Sequence, residues 1–208
     1  MLISHASSIS DDFFGELRGE ADEAQLQVEF VPRIVGPTNA LEWILPATVI
    51  VVLTKPFLDV FLKRAADDVA DIVYPKAKTM VKKLATKVLI GTREIWRRVT
   101  SSGPLPREGR SSFFSIESAT KSGVRIKFVF NEATTEESYD KCVDQVFELL
   151  EAHYTEGNFD LIEEAPIEQA HNTIYFVYDE NDSSWKAIDL NEEIRQIARE
   201  ARERQQRN

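Results

Sequence analysis

Apolar and polar residues alternate with period two at Leu26-Gln27-Val28-Glu29-Phe30, which predicts a strand over residues 25–35. A Gly36-Pro37-Thr38-Asn39 turn follows, and then the most apolar stretch of the chain, residues 41–62, divided by Pro46 and Pro56. From Phe57 the period changes: Leu58, Phe61, Leu62, Ala65, Val69, Ile72 and Val73 recur at three and four, as on one face of a helix. Pro75 ends or kinks that helix, because proline has no N–H to donate and clashes with the preceding turn. A second amphipathic helix is expected over 76–99, with Ala77, Met80, Val81, Leu84, Val88, Thr92, Ile95, Trp96 and Val99 on its apolar stripe.

Residues 101–112 are rich in Ser, Gly and Pro, carry no period, and read as a linker. Beyond it, strands at 113–117 and 124–130 flank a turn at Ala119 to Gly123. Thr134 with Glu137 forms a capping box for a helix with Tyr139, Cys142, Val143, Val146, Phe147, Leu150 and Tyr154 on one stripe. A second hairpin is expected over 172–188, where Trp185 pairs across strands with Tyr175 or Tyr178, and a last helix over 190–204. The chain therefore reads as α+β: a helical front, one strand then two amphipathic helices, joined to an antiparallel ββαββα unit. The expected divisions are an acidic segment at 1–40, a hydrophobic and basic helical region at 41–100, the linker at 101–112 and the antiparallel domain at 113–208.

Length and composition agree with a folded chain: 208 residues, 43% hydrophobic and 29% charged. The formal charge of −10 disfavours nucleic acid as a partner, but it is unevenly distributed. Residues 1–40 are net −5, residues 41–110 net +6, and residues 111–208 net −11. The positive charge concentrates on the second amphipathic helix as Lys76, Lys78, Lys82, Lys83, Lys87, Arg93, Arg97 and Arg98, with Trp96 at its end. Such a helix either offers its basic face to a protein partner or an anionic membrane, or packs its stripe in a core and leaves its lysines solvated or facing the acidic back half.

The uncharged run from Trp43 to Thr54 has 12 residues, about 18 Å as a helix against a hydrocarbon core of about 30 Å. Extension to Leu62 reaches a spanning length but includes Lys55 and Asp59. One reading is a membrane segment marked by Trp43, Ile50, Leu53, Phe57 and Phe61, with the amino terminus outside and the carboxyl-terminal domain in the cytoplasm. The other is a buried core helix, or a β-branched core strand at Val49-Ile50-Val51-Val52-Leu53.

Chemistry-bearing residues are sparse. Cys142 is the one cysteine, which excludes an intrachain disulfide and suits a reducing compartment. Residues 1–10 lack the features of a secretory signal, so a cytoplasmic location is expected. His5, His153 and His171 fall in no metal-ligand spacing, and no phosphate-loop, dinucleotide or nucleophile-elbow pattern occurs. Asp179-Glu180-Asn181-Asp182 lacks the glycine and final glutamate of a calcium loop and reads as a hairpin tip. These observations favour a non-enzymatic interaction or regulatory protein without cofactor or metal. A membrane-inserted effector is the alternative, and a carboxylate-based enzyme ranks last.

Overall fold

The strands that the alternating positions build are β1 (Leu2–Ala6), β2 (Glu29–Arg33), β3 (Val49–Val52), β4 (Phe114–Ala119), β5 (Arg125–Val129), β6 (Ile167–Glu168), β7 (Thr173–Asp179) and β8 (Ser184–Ile188). A 3₁₀ turn at Asp11–Phe14 leads into α1 (Gly15–Glu23), α2 covers residues 75–88, and α3 is Glu136–Thr155. The computed structural model describes residues 1–33, 49–54, 57, 75–88, 114–130, 136–155, 161–192, 195–196 and 199. The linker at 101–112 and most of the first amphipathic helix lie outside these.

The strands join in the order β2-β1-β3-β4-β5-β7-β6, with β8 also on β7. The chain is thus α+β with a mixed sheet, which corrects the antiparallel expectation. The β4–β5 and β7–β8 hairpins are antiparallel, but β5 pairs parallel to β7, β1 to β2 and β3 to β4. The reason lies in the connections. A two- to five-residue turn reverses the chain, whereas α3 between β5 and β7, and α1 between β1 and β2, return it in the same direction. A strand, β3, also lies within the region read as a helical front; it is the β-branched core strand expected as one alternative for Val49 to Leu53, and it joins β1 on one side to β4 on the other.

Directly opposed residues in a ladder share a face. The pairs Ile3 with Val51, Val51 with Ile116, Ile116 with Phe128, Phe128 with Phe176, and Tyr178 with Trp185 therefore line one face from β1 to β8. These seven positions are buried, and α1, α2 and α3 contribute Leu17, Ala21, Met80, Val81, Leu84, Val143, Val146 and Phe147 to the same core. Under α3 the core is aromatic. Phe128 meets Phe176 and Trp185 at 5.2 Å, Phe130 stacks on Tyr139, and the Trp185 indole N–H donates to the Cys142 carbonyl at 3.1 Å. The opposite face carries a smaller cluster of Val129 and Leu190 with Tyr175, Val177 and Ile188, beside the cross-strand pair Lys127–Glu117 at 3.1 Å.

Sequence periodicity did not announce β1 or α1. In β1 the core-facing side chain at position 5 is a histidine. Its Nδ1 lies 3.0 Å from the Ala6 carbonyl, its ring packs 4.5 Å from Phe14, and its buried Nε2 has no partner among the described residues. In α1 only Leu17 and Ala21 are buried, and Gly15 and Gly19 weaken its intrinsic helix propensity.

The alternation in β3 is directly testable. Val51 is fully buried on the helix-covered face, whereas Val52 is half-buried on the other. Val51→Thr is expected to cost about 1–3 kcal/mol by burying an unpaired hydroxyl, and Val52→Thr less than about 0.5 kcal/mol. The urea midpoints of the two variants check this. Equal losses at both positions would contradict a strand with these two faces.

Candidate functional site: the lysine face of α2

Pro75 is the first described residue of α2, and the Thr79 hydroxyl donates to its carbonyl at 2.7 Å. Ala77, Met80, Val81, Leu84, Ala85 and Val88 then recur at helical spacing, and all are at most 3% exposed. Burial of this stripe turns Lys76, Lys78, Lys82, Lys83 and Lys87 outward.

The lysines form two rows with separate counter-charges. Lys78 and Lys82, one turn apart, both lie 2.8 Å from the Asp144 carboxylate on α3. Lys83 and Lys87, also one turn apart, reach Glu20 at 2.6 Å and Glu16 at 3.4 Å on α1. As residue number rises along α2 it falls along α1, so these two helices run antiparallel. The Lys87 ammonium also stands 5.3 Å from the Phe13 ring centroid. Lys76 is exposed and has no ion-pair partner among the described residues.

Electrostatics follow from this geometry. Partial burial pushes the Asp144 carboxyl upward, but hydrogen bonds and charge from Lys78 and Lys82 outweigh it and hold the group below its ordinary value of 3.8. The Glu20 hydrogen bond holds the Lys83 ammonium above its ordinary value. Arg93, Trp96, Arg97 and Arg98 lie outside the described residues. So do Trp43 and Phe61 of the proposed membrane segment. Ile50 and Leu53 are buried in and just after β3, and Phe57 packs partly buried against the core. Among the described residues no helix is long and apolar enough to cross a membrane.

The remaining candidates have structural partners. Lys186 reaches Asp179 at 2.6 Å and also binds Asp182, and these hydrogen bonds push its ammonium up to about 12. Asp179 additionally accepts from the Asn181 N–H at 2.9 Å, so these carboxylates organise a hairpin tip. Burial pushes the Cys142 thiol up to about 12, far from a reactive thiolate. His153 is buried, and its Nε2 accepts from the Lys121 N–H at 3.2 Å, tying the end of α3 to the β4–β5 turn.

One arrangement escaped sequence reasoning. Glu168 is 6% exposed, and its carboxylate accepts from the Ala170 N–H at 3.0 Å, the His171 N–H at 2.8 Å and the His171 Nδ1 at 2.9 Å. Burial raises the Glu168 carboxyl, and the His171 and Ala170 hydrogen bonds outweigh that and hold it below its ordinary value of 4.5. The only sequence trace is a Glu-x-x-His spacing in an aperiodic loop. Among the described residues no group of three or more His, Cys, Asp or Glu is placed to hold a metal. Comparison with protein-family models, curated proteins and solved structures returns no match to this chain.

The Asp144 bridge carries a signed pH dependence. A carboxyl whose folded value is depressed contributes stability above its unfolded value and loses it as pH falls through the folded one. Asp144→Asn is therefore expected to lower stability at pH 7 by about 0.5–1 kcal/mol, the scale of exposed or half-exposed ion pairs. The difference from the parent should narrow as pH falls below 3.8, the ordinary aspartate value. Urea unfolding at a series of pH values measures both effects.

Proposed function

We propose that the protein is a non-enzymatic interaction or regulatory protein that contacts an acidic partner protein through the lysine face of α2. One observation carries this choice: the apolar stripe of α2 is consumed by the core, while its lysines remain at the surface. An interfacial membrane helix needs a free apolar face to sink below the headgroups, and α2 has none to offer in its described length. Its charge is still exchangeable. The Lys83 side chain is 55% exposed and that of Glu16 is 74% exposed, so these pairs are worth little each and a partner's carboxylates can replace them.

In this reading, residues 41–100 present the basic surface and residues 113–208 supply an acidic counter-surface, as two working regions of the chain. Arg93, Arg97 and Arg98 follow these lysines in the sequence and add to the positive charge of this region, and a reducing cytoplasm suits the lone buried thiol. The membrane-inserted alternative loses support at Ile50 and Leu53, because both are buried within the fold.

The test uses a fluorescent polyglutamate peptide as the acidic probe and the combined variant Lys76→Gln, Lys83→Gln and Lys87→Gln. These neutral replacements avoid new repulsion against Glu16 and Glu20. The parent should bind the peptide with an affinity that falls steeply between low and physiological salt, and the variant should bind about ten-fold more weakly. Circular dichroism verifies that the variant is folded. Equal binding by parent and variant would remove α2 as the contact surface.

A further inference from the structure

Among the described residues two large apolar side chains are exposed, Leu161 and Ile167, each at 46%. Both belong to one loop, residues 161–172, in which Glu163, Glu164 and Pro166 are also exposed. Neither glutamate has an ion-pair partner among the described residues, in contrast to the paired acids that face α2. The loop nevertheless has a firm base. Ile162 is fully buried, Ala165 is 8% exposed, and Glu168 is buried beneath its three hydrogen bonds from Ala170 and His171. Ile167 begins β6, which pairs with β7 at Ile174 and ends the strand order of the sheet.

Two exposed apolar side chains, two glutamates without an ion-pair partner among the described residues and the terminal strand of the sheet therefore occur within eight residues of an anchored loop. Two large apolar side chains held in water on one anchored loop are open to being covered by a partner. Anchoring also lowers the entropy lost on binding, because the loop is ordered before a partner arrives. The geometry points to a second interaction surface, independent of α2, at which the 161–168 loop and the β6 edge take an extended basic segment of a partner protein. Charge complementarity selects that occupant: Lys or Arg side chains meet Glu163 and Glu164, apolar side chains cover Leu161 and Ile167, and the segment's backbone continues the sheet beyond β6. Residues 111–208, net −11, supply a long-range field of the same sign.

The probe is a fluorescein-labelled peptide of alternating lysine and valine, titrated with the full chain and followed by anisotropy. Its glutamate–valine counterpart is the control. The lysine peptide should bind and the glutamate peptide should not. Glu163→Gln with Glu164→Gln, and separately Leu161→Ser with Ile167→Ser, should each weaken binding about ten-fold. The α2 variant Lys76→Gln, Lys83→Gln and Lys87→Gln should leave it unchanged, which separates this surface from the proposed one on α2. Amide exchange on the unmodified chain should show new protection at residues 166–168 when the peptide is present. Failure of the lysine peptide to bind overturns the proposal. So does equal binding by the loop variants, or a loss confined to the glutamate changes, which would indicate diffuse attraction between opposite charges.

Discussion

The structure depends on β3. Its four residues, Val49–Val52, are hydrogen-bonded to β1 on one side and β4 on the other, and the ladder continues as the Leu53 N–H donates to the Glu117 carbonyl at 2.8 Å. Without this strand the sheet would fall into a two-stranded piece and a carboxyl-terminal piece, and a two-stranded sheet is not stable alone. A strand covered on both faces must be apolar at consecutive positions rather than alternate ones. Val49 and Val51 point to the helices, while Ile50, 9% exposed, is buried on the other face. The run that is too short to cross a bilayer is therefore ample for the centre of a sheet. Each such side chain contributes about 1.5–3 kcal/mol on burial.

With β1 and β4 joined, the covering helices fall on a shared face, and the charge pattern takes on its meaning. Along the chain the charge is separated into acidic, basic and acidic zones, but in space basic α2 makes ion pairs with an acidic helix on either side. The pairs Lys83–Glu20 and Lys87–Glu16 match only when α2 runs antiparallel to α1. A parallel arrangement would leave one lysine beyond reach of its acid. Each pair is weak, yet together they favour one direction over the other, which is specificity more than stability.

Elements whose pattern is local were legible in the sequence. Both hairpins, β2 and α3 form where they were expected, β4 running two residues past its expected end to Ala119, and Trp185 pairs with Tyr178, one of its two anticipated neighbours. The missed elements each break a local rule: β1 turns His5 toward the core, α1 has two glycines and a thin stripe, and β6 is two residues long. Parallel pairing was missed because it joins residues on either side of a helix, where no turn residue marks it. At the lysine face, the spacing of the basic residues was legible but their partners were not. Lys82 and Asp144 are 62 positions apart, and Lys87 and Glu16 are 71. Glu168 was hidden for a simpler reason: a buried, triply bonded carboxylate has the same one-letter code as a solvated one.

The two proposed surfaces differ in physics as well as in sign. Once the apolar stripe of α2 is in the core, its outer face can act only through charge, over a range set by a Debye length of about 8 Å in physiological salt. Contact there forms quickly and dissociates readily, and Lys78, Lys82, Lys83 and Lys87 must first leave Asp144, Glu20 or Glu16 to turn to a partner. At the 161–168 loop Glu163 and Glu164 have no ion pair to break among the described residues, and Leu161 and Ile167 add apolar area that salt does not screen. A partner held at the loop would therefore persist under ionic conditions that release one held at α2. The order in which ligands dissociate as salt rises follows from which side chains the core has already consumed.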